Sequence, residues 1–215
     1  MSVAPHGDVY YVFRAGVPAF RKYAPSGQLL FERHIEGPEL DAAIQQLPTT
    51  WPRSRSESGR ELPLVPPMVR AAAVDSAGNL WVSLAVPFTY VYSPQGDRIR
   101  VVQFRAAGIE KLKLDVDVQI NLYRMLQEGL NNIDKHAEAT EAAVKLTAAH
   151  PSILLRIEDN GKGFDVEKRA REIDSEKRMG LRSLQERTEL LGGIMIVTST
   201  PGRGTRILIK FPHRG

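Results

Sequence analysis

The chain has 215 residues, 42% hydrophobic and 25% charged, with a net charge of +4, enough for one large globular domain or two small ones. It contains no cysteine, and its five histidines form no H-E-x-x-H pair, which excludes disulfides, thiol catalysis, Cys-ligated metals and the common His-based zinc motif. No apolar run approaches the ~20 residues of a membrane span, the N-terminus lacks a signal-peptide core, and the small basic excess is spread over both halves rather than gathered into a nucleic-acid-binding stripe; a cytoplasmic protein with no direct nucleic-acid partner is expected.

Residues 1–105 read as a mostly antiparallel β domain. Between Asp8 and Phe104 short runs rich in Val, Tyr and Phe are punctuated by Pro-Ser-Gly, Ser-Ala-Gly and Pro-Gln-Gly turns. A weak repeat is present. Gly7-Asp8-Val9-Tyr10-Tyr11 resembles Gly78-Asn79-Leu80-Trp81-Val82, and Tyr23-Ala24-Pro25-Ser26-Gly27 resembles Tyr92-Ser93-Pro94-Gln95-Gly96. Each unit reads strand, turn, strand, turn, strand, and Ala71 to Val74 adds a first strand to the second unit. The pattern resembles blades of NHL-type β-propellers, here two incomplete ones. An insertion at 38–67 separates them. Glu39 to Leu47 suits one helix, and the Pro-, Ser- and Arg-rich stretch Pro48 to Pro67 is expected to be an irregular loop. Its Arg53, Arg55 and Arg60 suit either an anion-binding patch or a solvated surface.

Residues 106–215 alternate helical and strand patterns. Gln119, Leu122, Leu126, Leu130 and Ile133 predict one face of a helix over Val118 to His136, with Glu128, Asn132 and Lys135 opposite. That polar face is either solvated or functional. Asn131-Asn132 in mid-helix favours function, because Asn is a poor helix former, and a carboxylate and an amide one turn apart can share a hydrated Mg²⁺. Strands follow, about Ala142 to Ala148 and Ile153 to Ile157. The second runs into Glu158-Asp159-Asn160-Gly161-Lys162-Gly163-Phe164, either a plain turn or a pocket edge in which Asp159 accepts an amine and glycines admit a ligand. Phe164 to Met179 is heavily charged and suits an exposed helix or a lid, with Lys168, Arg169, Lys177 or Arg178 near phosphates. A helix opening at Gly180-Leu181 would bury Leu181, Leu184, Leu190 and Leu191, offer its N-terminus to phosphate, and end at Gly192-Gly193. Strands Ile194 to Thr198 and Thr205 to Phe211 close the chain.

Taken in order, these segments resemble a known family. Leu122 to His136 resembles the N box of sensor histidine kinases. Asp159-Asn160-Gly161-Lys162-Gly163-Phe164-Asp165 resembles their G1 box. Gly180-Leu181, Glu186-Arg187, Leu191-Gly192-Gly193 and Pro201-Gly202-Arg203-Gly204-Thr205 resemble the G2 region and final hairpin. The spelling is most similar to the nitrate-response (NarL-partnered) subfamily, and the resemblance spans about residues 112–213. It implies the Bergerat fold of the GHKL ATPases, a two-layer α/β sandwich with helices on one face of a mixed sheet, so the whole chain would be α+β. It also implies Mg-ATP as ligand. Asn132 would bind Mg²⁺, with Glu128 as a further ligand or, as in hydrolysing relatives, a general base. Lys135 would neutralise phosphate and His136 would line the ribose or adenine side. Asp159 would take the adenine amine, with Thr205 assisting through a water. Gly161, Gly163, Gly180 and Leu181 would shape the pocket and lid. Charge neutralisation and positioning of this kind are what phosphoryl transfer requires.

Kinases of this type normally carry two dimerisation helices with a phospho-accepting histidine before the ATP domain. Phe104 to Val118 contains no histidine, and His34 sits in a strand-like setting. The expected activity is therefore phosphorylation of a histidine supplied in trans or by a missing segment, with a response regulator as the further partner. A non-enzymatic fusion or gene fragment and an anti-sigma-type ATP-binding regulator are the alternatives.

Overall fold

The computed structural model describes residues 1–14, 17–46, 50, 52–55, 60–63, 67–109, 112–171 and 176–213. The chain divides into two compact units, Met1–Val101 and Val102–Gly215.

The first unit opens with strands β1 (Ser2–Val3), β2 (Val9–Phe13), β3 (Ala19–Tyr23) and β4 (Leu29–His34), an antiparallel meander. Helix α1 (Pro38–Gln45) follows, with proline in its first turn, where a missing N–H costs nothing. The stretch expected to be an irregular loop instead contains a small hairpin, β5 (Arg53–Arg55) with β6 (Glu61–Pro63). Extended pairing satisfies backbone groups that a Pro- and Ser-rich composition suggested would be left to water. Residues 47–49, 51, 56–59 and 64–66 of that expectation lie outside the described residues. Arg53 and Arg55 are exposed, and Arg53 stands 3.8 Å from Glu61. Then come β7 (Val69–Val74), β8 (Leu80–Leu84), β9 (Phe88–Tyr92) and β10 (Arg98–Ala107), the last carrying the chain into the second unit. Tyr10, Phe20, Leu40, Leu80, Val82 and Tyr90 form the core. The weak repeat shares the backbone of its turn: Ala4 N–H bonds Asp8 O and Gly7 N–H bonds Ala4 O, as Asp75 N–H bonds Asn79 O and Gly78 N–H bonds Asp75 O, and the second copy adds a side chain. Asp75 Oδ1 accepts Asn79 N–H at 2.8 Å, and its Oδ2 accepts Trp81 Nε1 at 2.9 Å, so the turn before β8 is held by one carboxylate.

The second unit continues with α2 (Val116–Asn132), a π-helical turn (Ile133–Ala137), β11 (Glu141–Ala149), β12 (Ser152–Asp159), α3 (Val166–Arg171), α4 (Glu176–Leu190), β13 (Ile194–Ser199) and β14 (Thr205–Pro212). The strands lie in the order β13-β14-β12-β11, each neighbouring pair antiparallel. The fold is mixed α/β, as expected. Alternation explains its core. Ile153, Leu155 and Ile157 of β12 and Ile207, Ile209 and Phe211 of β14 are buried and stand cross-strand from one another. Leu122, Met125 and Ile133 of the α2 region and Leu184 of α4 are buried as well.

Three helix expectations need correction. The buried face of α2 runs through Leu122, Met125, Gly129 and Ile133, while Gln119 is exposed and bonds Leu114 O. Gly129 recruits this face because Ile157 lies where its Cβ would be; Leu126 and Leu130 are only half-buried. The helix also does not run as α to His136 but widens after Asn132 into the π turn. Finally, α4 begins at Glu176 rather than at Gly180, so Gly180 lies inside the helix and does not present a free N-terminus to phosphate. Its buried line is Gly180, Leu184 and Thr188, and Leu190 is 77% exposed. The end is as expected: Gly192 N–H bonds Glu189 O and Gly193 N–H bonds Thr188 O, the paired pattern of a Schellman cap. Among the described residues no helix is long and apolar enough to cross a membrane.

Candidate functional site

Side-chain alternation that builds the second unit's core also builds its site. Asp159 follows Ile157 by two residues, and Thr205 precedes Ile207 by two. Both therefore point to the buried side of the sheet, at the end where the apolar ladder stops, and they are cross-strand partners. Ser199, at the end of β13, is the next partner along, opposite Thr205. A cavity of about 380 Å³ opens at this end of the sheet.

Sheet and loop residues form one part of its wall: Ile157, Asp159, Thr205 and Ile207 with Lys162, Gly163, Phe164 and Asp165. The helical part is Gly129, Asn132, Ile133, Lys135, His136 and Ala137, joined by Lys168 and Leu181. Seven expected site residues thus meet there: Asn132, Lys135, His136, Asp159, Gly163, Leu181 and Thr205. Glu128, Gly161 and Gly180 do not line the cavity. Gly180 instead stands against the α2 polar face: a Cβ there would lie 2.5 Å from Asn132 Oδ1 and collide with Glu128 Oε1. Its lack of a side chain brings α4 over Glu128 and Asn132. Gly161 lies against the Ala137 carbonyl at the end of the π turn. The side chains of Arg169, Lys177 and Arg178 lie outside the described residues.

The loop after β12 is tied down on both sides. Asn160 Oδ1 accepts Thr140 and Glu141 N–H groups, and its Nδ2 donates to Thr140 Oγ1. Gly161 N–H donates to Asp159 Oδ1 at 2.8 Å, which orients the carboxylate. Lys162 N–H bonds Ala137 O, and Lys162 O accepts Gly202 N–H from the β13–β14 connection. Gly163 and Gly204 both have positive φ, 57° and 73°, and Cβ atoms there would strike Thr200 O and Asp159 O. Only glycine lets these two loops close on each other. Lys162 Nζ also meets Glu138 Oε1 at 2.5 Å, and this hydrogen bond holds the exposed Glu138 carboxyl below the usual range. Asp165 caps α3 by accepting Lys168 N–H at 2.9 Å.

Asn132 Nδ2 is buried and has no hydrogen-bond partner among the described residues. A buried donor left unpaired is costly, so this amide is open to a partner other than the described residues. Glu128 and Asn132 also fit a hard cation in their chemistry, since both offer oxygen. No cluster of three His, Asp or Glu able to hold a metal occurs among the described residues; a magnesium ion here would have to draw its remaining ligands from phosphate and water.

Residues 117–215 match the family described as histidine kinase-, DNA gyrase B- and HSP90-like ATPase. This part of the chain is a HATPase_c domain. The domain is homologous to those of two-component sensor kinases. The chain is 38% identical over 125 residues to the signal transduction histidine-protein kinase/phosphatase DegS of Bacillus subtilis, across 57% of this chain and 32% of that protein. It is 41% identical over 97 residues to the sensor histidine kinase ComP of the same organism, across 45% of this chain and 12% of that protein. A solved histidine kinase domain from the Erythrobacter litoralis EL346 blue-light activated histidine kinase aligns at TM-score 0.40 and 21% identity, over 52% of this chain and 51% of that one. The chain thus spans a third or less of the length of these curated relatives. The HATPase_c family is one of ATPases, which makes a nucleotide the ligand class implied for the cavity.

Sequence reasoning passed over two residues of this domain. Gly129 was visible as a glycine in mid-helix. Ser199 was visible only as the residue two beyond Val197 on the inner face of a strand.

Proposed function

We propose that this chain binds Mg-ATP in the HATPase_c cavity and passes the γ-phosphoryl group to a histidine of a phospho-acceptor domain supplied in trans or by a further segment, in a cytoplasmic two-component pathway with a response regulator as the next acceptor. The observation that carries this reading is the meeting of Asp159 and Thr205 on the sheet with Asn132, Lys135 and His136 on the helical wall of one cavity. The Asp159 carboxylate accepts the exocyclic amine of adenine, and Thr205 joins it through a water. Lys135 faces phosphate, and His136 the ribose or adenine edge. Asn132, with Glu128 one turn earlier, holds Mg²⁺, which when bound neutralises phosphate charge. Glu128 occupies the position of a general base toward water in hydrolysing relatives. Gly161 and Gly163 shape the adenine-side loop, while Gly180 and Leu181 bring α4 over the Asn132 side. In the first unit we read the meander β1 to β4 and the strands β7 to β10 as two incomplete propeller-type blades.

Titration calorimetry of Mg-ATP into the chain tests the binding. Saturable binding that Asp159→Ala loses is expected; no binding to a folded chain overturns the reading. Incubation with Mg-ATP and a phospho-acceptor domain from a two-component kinase then tests transfer. Acid-labile, base-stable phosphate on the acceptor is expected, and its absence in the presence of ATP binding overturns the transfer step alone.

A further inference from the structure

Ser199 does not line the cavity, yet its hydroxyl joins two stretches that do, the loop at Phe164 and the start of β14 at Thr205. It accepts Phe164 N–H at 2.9 Å, lies 2.9 Å from Gly204 O, and lies 3.0 Å from Thr205 Oγ1. A hydroxyl has one proton and two lone pairs. The Phe164 contact uses a lone pair, because an amide only donates. The Gly204 contact uses the proton, because a carbonyl only accepts. The Thr205 contact must then use the second lone pair, with Thr205 as donor. The proton of Thr205 is committed to Ser199, and Thr205 Oγ1 shows only lone pairs to the cavity, across the strand pair from the Asp159 carboxylate.

We infer that Ser199 is a positioning residue for base selection: by fixing the Thr205 hydroxyl as an acceptor beside Asp159, it makes this corner accept only hydrogen-bond donors. The group that fits between two acceptors is an amine or a water presenting both its hydrogens. A 6-aminopurine supplies this arrangement. A 6-oxopurine places an acceptor there and leaves polar groups unpaired. Without the Ser199 hydroxyl, Thr205 is free to rotate and donate to the bridging water, which can then turn a hydrogen toward an oxo group, so discrimination weakens from both sides. The inference rests on the ATP reading above and adds a second determinant of base choice.

The experiment is titration of the full chain with Mg-ATP and with Mg-ITP, whose base carries oxygen in place of the amine. Wild type is expected to prefer ATP. Ser199→Ala is expected to narrow the ATP-to-ITP affinity ratio by about five- to tenfold, the effect of one hydrogen bond, with ITP binding unchanged or tighter. Ser199→Cys, of similar shape but with a weak donor and acceptor, is expected to narrow it as well and covers the case in which the alanine variant does not fold. Ser199→Thr, which keeps the hydroxyl, is expected to restore the ratio to within about twofold. A ratio unchanged in both Ser199→Ala and Ser199→Cys, or equal weakening of ATP and ITP as a merely structural role would give, overturns the inference while leaving ATP binding intact. A wild-type chain that binds neither nucleotide overturns the ATP reading and this inference together.

Discussion

Asp159 shows how a single residue's parity along a strand decides its chemistry. It is two positions beyond Ile157, so it shares the core-facing side of β12, but it stands where the apolar ladder ends and the cavity begins. A charge-assisted hydrogen bond from a ligand amine contributes roughly 1.5–3 kcal/mol. Asp159→Ala is therefore expected to weaken ATP at least tenfold in calorimetry without loss of fold. Tyr92, in the first unit, presents the opposite case of a polar atom without an evident task. Its hydroxyl is buried without a hydrogen-bond partner among the described residues, and burial pushes its pKa up to about 12. An unfolded tyrosine ionises near 10, two units sooner. The unfolded state therefore loses its proton first, and the stability carried by the neutral phenol is complete below pH 10 and is lost as pH rises toward 12. Tyr92→Phe is expected to be neutral or stabilising at pH 7, by up to about 1 kcal/mol, and to flatten the decline between pH 10 and 12. A chemical denaturation series across that range measures both.

At the scale of elements, close approach of helix to sheet matters more than helix propensity. Gly129 is a poor helix residue, and alanine would improve the isolated helix by about 1 kcal/mol. In the folded unit its Cβ would collide with Ile157 Cδ1, and overpacking of this kind costs roughly 1–3 kcal/mol. Gly129→Ala is thus expected to destabilise overall. The penalty should shrink in an Ile157→Val background, which removes the colliding methyl; a double-mutant cycle on denaturation midpoints reads the coupling. The same principle accounts for the misplaced face of α2. Counting leucines locates the apolar stripe, but the deepest contact forms at a residue with no side chain. It also accounts for α4. Gly180 has the look of a helix start, yet its small size serves the approach to Glu128 and Asn132 from inside the helix.

For the molecule as a whole, ligand binding and folding are linked. A nucleotide that binds only the folded HATPase_c domain stabilises it by about 2.7 kcal/mol at a hundred times its Kd. Mg-ATP should raise the unfolding temperature of wild type and raise that of Asp159→Ala by less, as differential scanning calorimetry would show. Much of this domain was legible beforehand, because its strands alternate cleanly, its glycine-rich loops follow Asp159 and precede Thr205, and those motifs occur in a fixed order. Local chemistry of this kind is written into consecutive residues and sufficed for the α/β class, while the family resemblance that those motifs carry named seven residues that line the cavity. What consecutive residues do not contain is which surfaces meet. The burial of Gly129 under Ile157 and the junction of Ser199 with Phe164 each depend on a partner distant along the chain. Hydrogen-bond direction at Ser199 in particular follows from three partners at once, and only the tertiary structure brings all three to one oxygen.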